Sequence, residues 1–117
     1  MIKNKETKDV ANSQISTNSS ELIFFFAEWC PHCKTAKPIW EKVSADYNGK
    51  VVNGYKLNFS VVNCTNSDDA DVQVAINKYK VEHFPTIKLL KDNNTIEFDS
   101  KISEDNLVKF FNIVLNE

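Results

Sequence analysis

The sequence contains no arginine: its 14 basic residues are all lysine, and 16 acidic residues bring the formal net charge to −2. A surface for nucleic acid usually shows a basic excess and planar guanidinium forks, so nucleic acid is not an expected partner. Glycine occurs twice and proline three times, which excludes a collagenous or linker-like chain. Long apolar runs are missing too. The longest, Leu22-Ile23-Phe24-Phe25-Phe26-Ala27, has six residues against the roughly 20 of a membrane-spanning helix, so no membrane partner is expected. Residues 1–20 are polar and lack the apolar block of a secretory signal. The cytoplasm is therefore the expected compartment, with a secretory one open only if a signal has been removed.

What remains is an ordinary globular composition, 42% hydrophobic and 26% charged over 117 residues, enough for one domain. A chain of this length buries roughly 65% of its unfolded surface, which is sufficient for a core without disulfide or metal staples. Residues 1–20 read as a polar N-terminal segment with at most a short helix, and residues 21–117 as the folded domain. The run from Leu22 has the pattern of a central strand covered on both faces. From Cys33 the apolar residues Ala36, Trp40, Val43 and Tyr47 recur at steps of three and four, predicting a helix kinked at Pro38 and ending near Asn48-Gly49. Leu57, Phe59, Val61 and Val62 predict a strand after a connection through Gly54, hence a right-handed parallel crossover. A helix carrying Val72, Ala75, Ile76 and Tyr79 follows. Ile87-Lys88-Leu89-Leu90 and Thr95-Ile96-Glu97-Phe98 then form an antiparallel hairpin about Lys91-Asp92-Asn93-Asn94. Ser103 caps a last helix that buries Leu107, Val108, Phe110, Phe111, Val114 and Leu115. The order is βαβ then ββα, an α/β fold with a central mixed sheet flanked by helices.

One segment carries chemistry: Ala27-Glu28-Trp29-Cys30-Pro31-His32-Cys33-Lys34, where the buried strand gives way to a helix. A cysteine at a helix's first residue faces unpaired backbone N–H groups and the positive end of the helix dipole, which stabilise a thiolate. Cys30 is thus the candidate nucleophile. Pro31 suits the first turn because its missing N–H had no partner to lose. Cys33 lies on the same helical face within disulfide reach and is the candidate resolving thiol. An imidazole at His32, between the sulfurs, favours the reduced pair and makes the disulfide a better oxidant. The competing reading is half of a zinc site. It needs four ligands, and only Cys64, His83 and His32 remain, with no second Cys-x-x-Cys. No metal or cofactor is expected, although a metal or cluster shared with a partner chain stays open.

Phe26-Ala27-Glu28-Trp29-Cys30-x-x-Cys33-Lys34, then Pro38, then Phe84-Pro85-Thr86, resembles the thioredoxin superfamily from Leu22 to the end of the chain. The resemblance implies a thioredoxin fold and thiol-disulfide exchange with protein disulfide or dithiol substrates and an unidentified redox partner. It also implies a cis peptide bond before Pro85, with Trp29, Phe84, Pro85 and Thr86 beside the cysteines where a substrate strand pairs. Within the family, thioredoxins carry Gly-Pro between the cysteines, protein disulfide isomerases Gly-His, and bacterial periplasmic oxidants Pro-His. Pro31-His32 matches the last, but those oxidants insert a helical domain before the cis-proline. Only 51 residues separate Cys33 from Pro85 here.

Two departures bear on turnover. The family places an acidic residue on the strand six positions before the nucleophile, where this chain has Phe24, and isomerase domains often carry an arginine where it has Ile102. A binding or assembly module with slow or no turnover is accordingly the alternative function. Cys64, in a segment resembling isomerase domains, reads as a buried structural thiol and Trp40 as packing. His83, Lys34 and Lys37 read as solvated.

Overall fold

The computed structural model describes residues 18–116, so the expectation for the start of the polar segment lies outside the described residues. The central strand β1 (Asn18–Phe26) begins earlier than Leu22, because Asn18, Ser19, Ser20 and Glu21 continue the parallel pairing with Tyr55, Lys56, Leu57 and Asn58. Helix α1 (Pro31–Tyr47) follows and runs through Pro38 to its end; the proline removes one ladder bond without terminating the helix. Next come β2 (Val51–Val52), β3 (Tyr55–Asn63), α2 (Ala70–Tyr79), β4 (Thr86–Lys91), β5 (Asn94–Phe98) and α3 (Glu104–Val114).

The strands form one five-stranded sheet in the order β2-β3-β1-β4-β5. Strand β3 is parallel to β1, as the crossover through α1 requires, and β4 is antiparallel to it. The short β2 escaped the sequence reading, which took Gly54 as mere punctuation. Asn53 and Gly54 have φ of 51° and 87°, the geometry of a two-residue primed hairpin turn, and Asn-Gly is its usual sequence. Asp92 and Asn93 turn β4 into β5 the same way, with φ of 51° and 72°.

Because side chains alternate along a strand, β1 supplies two cores. Leu22, Phe24 and Phe26 join Trp40 and Val43 of α1 and Leu107 and Phe111 of α3 on one face. On the other, Ile23 and Phe25 meet Cys64 and Val81, with Val72, Ile76 and Tyr79 of α2 packed against them. Of the residues assigned to the core of α3, Leu107, Phe111 and Leu115 are buried, while Val108, Phe110 and Val114 are half-buried against them. Ser103 caps α3 as expected, its hydroxyl accepting the Asn106 N–H at 3.1 Å.

Candidate active site

Strand β1 delivers the chain to Ala27, and a turn closed by the Cys30 N–H donating to the Ala27 carbonyl at 3.1 Å sets Cys30 at the start of α1. Cys30 is the N-cap, with extended backbone (φ −90°, ψ 115°), and its sulfur accepts the Cys33 N–H at 3.2 Å. A sulfur thus takes the place that a Ser or Asp oxygen holds at most helix starts. Pro31 occupies the first helical position, where its ring costs no hydrogen bond, and both it and His32 are exposed. Cys30 and Cys33 are both free thiols, at 4% and 2% exposure.

Burial, and then the hydrogen bond with Cys30, push the Cys33 thiol up to about 11; a backbone hydrogen bond from Ala27 offsets part of this. Cys33 is therefore a proton-holding thiol at neutral pH. Phe24 is the reason no carboxylate of β1 sits behind the pair. Its ring is fully buried, 5.5 Å from that of Phe26 and 5.3 Å from that of Trp40, all in the core that holds both cysteines.

The rim is fixed by Asn63 and Thr65, which flank Cys64 and whose part in the site the sequence does not announce. After β3, Thr65 accepts the Glu28 N–H on its hydroxyl at 2.8 Å and the Trp29 indole N–H on its carbonyl at 3.3 Å. Asn63 in turn accepts the Thr65 N–H at 3.0 Å and donates to the Glu28 carboxylate at 3.4 Å. Only the turn is legible: Asn63-Cys64-Thr65 has the Asn spacing of an Asx-turn. Trp29 remains 62% exposed and meets the Phe84 ring edge-on at 5.9 Å.

The Phe84-Pro85 bond is cis, as the resemblance implied. Phe84 and Pro85 are half-buried, whereas Thr86 is buried and its hydroxyl donates to the His83 carbonyl at 2.6 Å. The Thr86 side chain is therefore engaged within its own turn rather than presented at the surface. His83 is mostly exposed but has partners in Thr86 and Glu97. Of the two helix lysines, Lys34 is exposed and Lys37 lies over the Phe26 ring at 5.4 Å. Cys64 is buried on the opposite face of the sheet, its S–H donating to the Val62 carbonyl at 3.8 Å and its thiol pushed up by burial. Ile102, where isomerase domains often carry arginine, packs against the core that holds Cys30 and Cys33. Among the described residues no three His, Cys, Asp or Glu side chains gather as a metal site. Nor does any described helix have the length and apolarity to cross a membrane.

A mixed five-stranded sheet with a Cys-x-x-Cys pair at the start of α1, and a cis-proline following Phe84, whose ring meets that of Trp29, defines a thioredoxin-fold domain. The chain belongs to the thioredoxin family, whose pattern matches residues 3–112. It is 36% identical over 113 residues to protein disulfide isomerase-like 2-1 of Oryza sativa subsp. japonica, covering 92% of this chain and 24% of that protein. It is also 40% identical over 76 residues to protein disulfide-isomerase like 2-2 of Arabidopsis thaliana, covering 63% of this chain and 14% of the relative. The chain thus spans a quarter or less of these relatives' length. Among solved structures, the first thioredoxin domain of mouse protein disulfide-isomerase A4 matches with a TM-score of 0.67 at 24% identity, covering 82% of this chain and 63% of that one. The first two thioredoxin domains of Naumovozyma dairenensis Eps1p match with a TM-score of 0.60 at 30% identity, covering 80% of this chain and 34% of that one. These likenesses support a module of the thiol-disulfide oxidoreductase type.

Proposed function

We propose that the protein exchanges disulfides with protein substrates through Cys30 and Cys33, in the manner of a protein disulfide isomerase catalytic domain. The observation that carries this reading is the Cys30 sulfur at the helix start, accepting the amide of the cysteine that would resolve it. In the reducing direction the Cys30 thiolate attacks a substrate disulfide, forming a mixed disulfide and expelling one substrate sulfur as a thiolate, which takes up a proton. Cys33 then gives up its proton and attacks the Cys30 sulfur. That step expels the second substrate thiolate and leaves the Cys30–Cys33 disulfide, so the pair loses the two electrons that the substrate gains. The oxidising direction is the reverse, and the compartment and redox partner decide which way flux runs. Trp29, Phe84 and Pro85 form the surface on which a substrate chain lies, and His32 tunes the poise of the pair.

Phe24 favours a second reading, a binding or assembly module that turns over slowly, because an apolar ring stands at the strand position from which the family's carboxylate would carry the Cys33 proton. Two measurements decide between them. The first is the reduction potential of the pair, equilibrated in glutathione buffers and read by thiol alkylation, for wild type and His32→Ala. The second is insulin reduction. The exchange reading expects turnover that Cys30→Ser reduces to background, and a potential near that of protein disulfide isomerase that His32→Ala lowers. A potential near that of thioredoxin indicates a reductant, and a pair that does not cycle leaves the binding module.

A further inference from the structure

His83 stands immediately before Phe84, whose ring touches Trp29 beside the nucleophile. Its ring is held from two sides. Nδ1 lies 3.2 Å from the Thr86 hydroxyl, and Nε2 lies 3.7 Å from Oε2 of Glu97 on β5. The Thr86 hydroxyl has one proton, and that proton is committed to the His83 carbonyl, which can only accept, at 2.6 Å. The hydroxyl must therefore accept from Nδ1–H. In a neutral ring this leaves the Nε2 lone pair facing a carboxylate. In the imidazolium both nitrogens carry protons, and the second proton faces the carboxylate. The arrangement is complete only when the ring is charged.

Other charges face the same place. The buried Lys88 ammonium of β4 holds Oε1 of Glu97 at 2.6 Å, which fixes the carboxylate and draws on part of its charge. Asp99, after β5, lines the same cleft as His83, Pro85 and Glu97, and Glu82 precedes His83 in the chain. Glu97 and Asp99 are the acidic groups of this cleft, and Lys88 is the cation paired with Glu97.

We propose that His83 is a positioning residue, its charged ring tying the Phe84-Pro85-Thr86 segment to Glu97 of β5 and so holding the surface on which a substrate chain docks. This deepens the exchange reading and rests on it for the docking role. Only the protonated ring makes both contacts, so the tie is engaged when the ring carries its second proton and released when that proton is lost.

The test compares wild type with His83→Asn, which keeps a donor towards Thr86 but cannot be charged. Nuclear magnetic resonance from pH 5 to 8 should show the Phe84 and Thr86 amides shifting in step with the His83 ring in wild type and losing that shift in the variant. Amides that titrate alike in both proteins, or stand still in wild type, overturn the tie. In disulfide reduction of a peptide, the variant's KM should exceed wild type's by about two- to fivefold at pH 5.5, as for an exposed ion pair, with the ratio falling towards one at pH 8 and kcat unchanged. A ratio that does not vary with pH overturns the docking role. Absence of turnover in both proteins sinks the exchange reading, whereas the amide shifts still decide the tie.

Discussion

The two faces of the sheet each bury a cysteine, and they surround it differently. Cys33 lies on the α1–α3 face and Cys64 on the α2 face, at 2% and 1% exposure. Burial raises both thiols. Cys33, however, shares a hydrogen bond with a second sulfur placed at a helix start, while Cys64 donates only to the Val62 carbonyl. Burial alone therefore makes a thiol harder to ionise. What sets Cys33 apart is the helix end that presents a second sulfur to it.

The largest test of this contrast removes one aromatic ring from each face. Phe24 and Phe25 are both fully buried, pointing to opposite cores. Each change to alanine should cost about 3–5 kcal/mol in urea unfolding. Only Phe24→Ala should also lower the Cys33 pKa, because its cavity opens into the core of the redox pair and weakens the burial that raises the thiol. Thiol alkylation against pH in a Cys30→Ser background reads that shift. If Phe25→Ala moves Cys33 equally, the faces are not independent.

A smaller effect sharpens what the apolar wall behind Cys33 does. With the thiol raised to about 11, its ionised fraction at neutral pH is small and grows with pH. In the mixed disulfide Cys30 carries no charge, but burial, the larger cause, persists. Release of substrate should therefore quicken by about tenfold per pH unit from pH 7 to 8.5, following the thiolate. Rapid-quench measurement of mixed-disulfide decay reads this directly. A flat profile would reveal a proton acceptor doing the work of the missing strand carboxylate.

Much of this was legible in the sequence, for physical reasons. The apolar run of β1 could only be a strand covered twice, and the period of Ala36, Trp40 and Val43 could only bury one face of α1. Cys30, Pro31 and Cys33 announced a helix start because each suits that position and few others. Residues acting through long-range contact were not legible. Thr65 lies 36 residues from the indole it accepts, and Glu97 reaches His83 only because β5 folds back beside β4. The Asn53-Gly54 hairpin was missed although its signal was local, since two residues of β2 are too few to show a period.

The smallest expected effect concerns Cys64 itself. Replacing it with alanine removes one buried sulfur from the α2-side core, a loss of about 1 kcal/mol by the scale of small core truncations. Its negative charge, when formed, adds only a minor upward push on Cys33 behind burial and Cys30. At neutral pH Cys64 is protonated, since burial raises it further from its ordinary range, and that push is absent. Cys64→Ala should therefore leave insulin reduction and the reduction potential within about twofold of wild type while lowering the unfolding midpoint. A larger change in exchange would mean that the third thiol enters the cycle as a mixed disulfide with Cys30 or Cys33. Mass spectrometry of alkylated intermediates would show it, and the division of labour between the two faces would have to be abandoned.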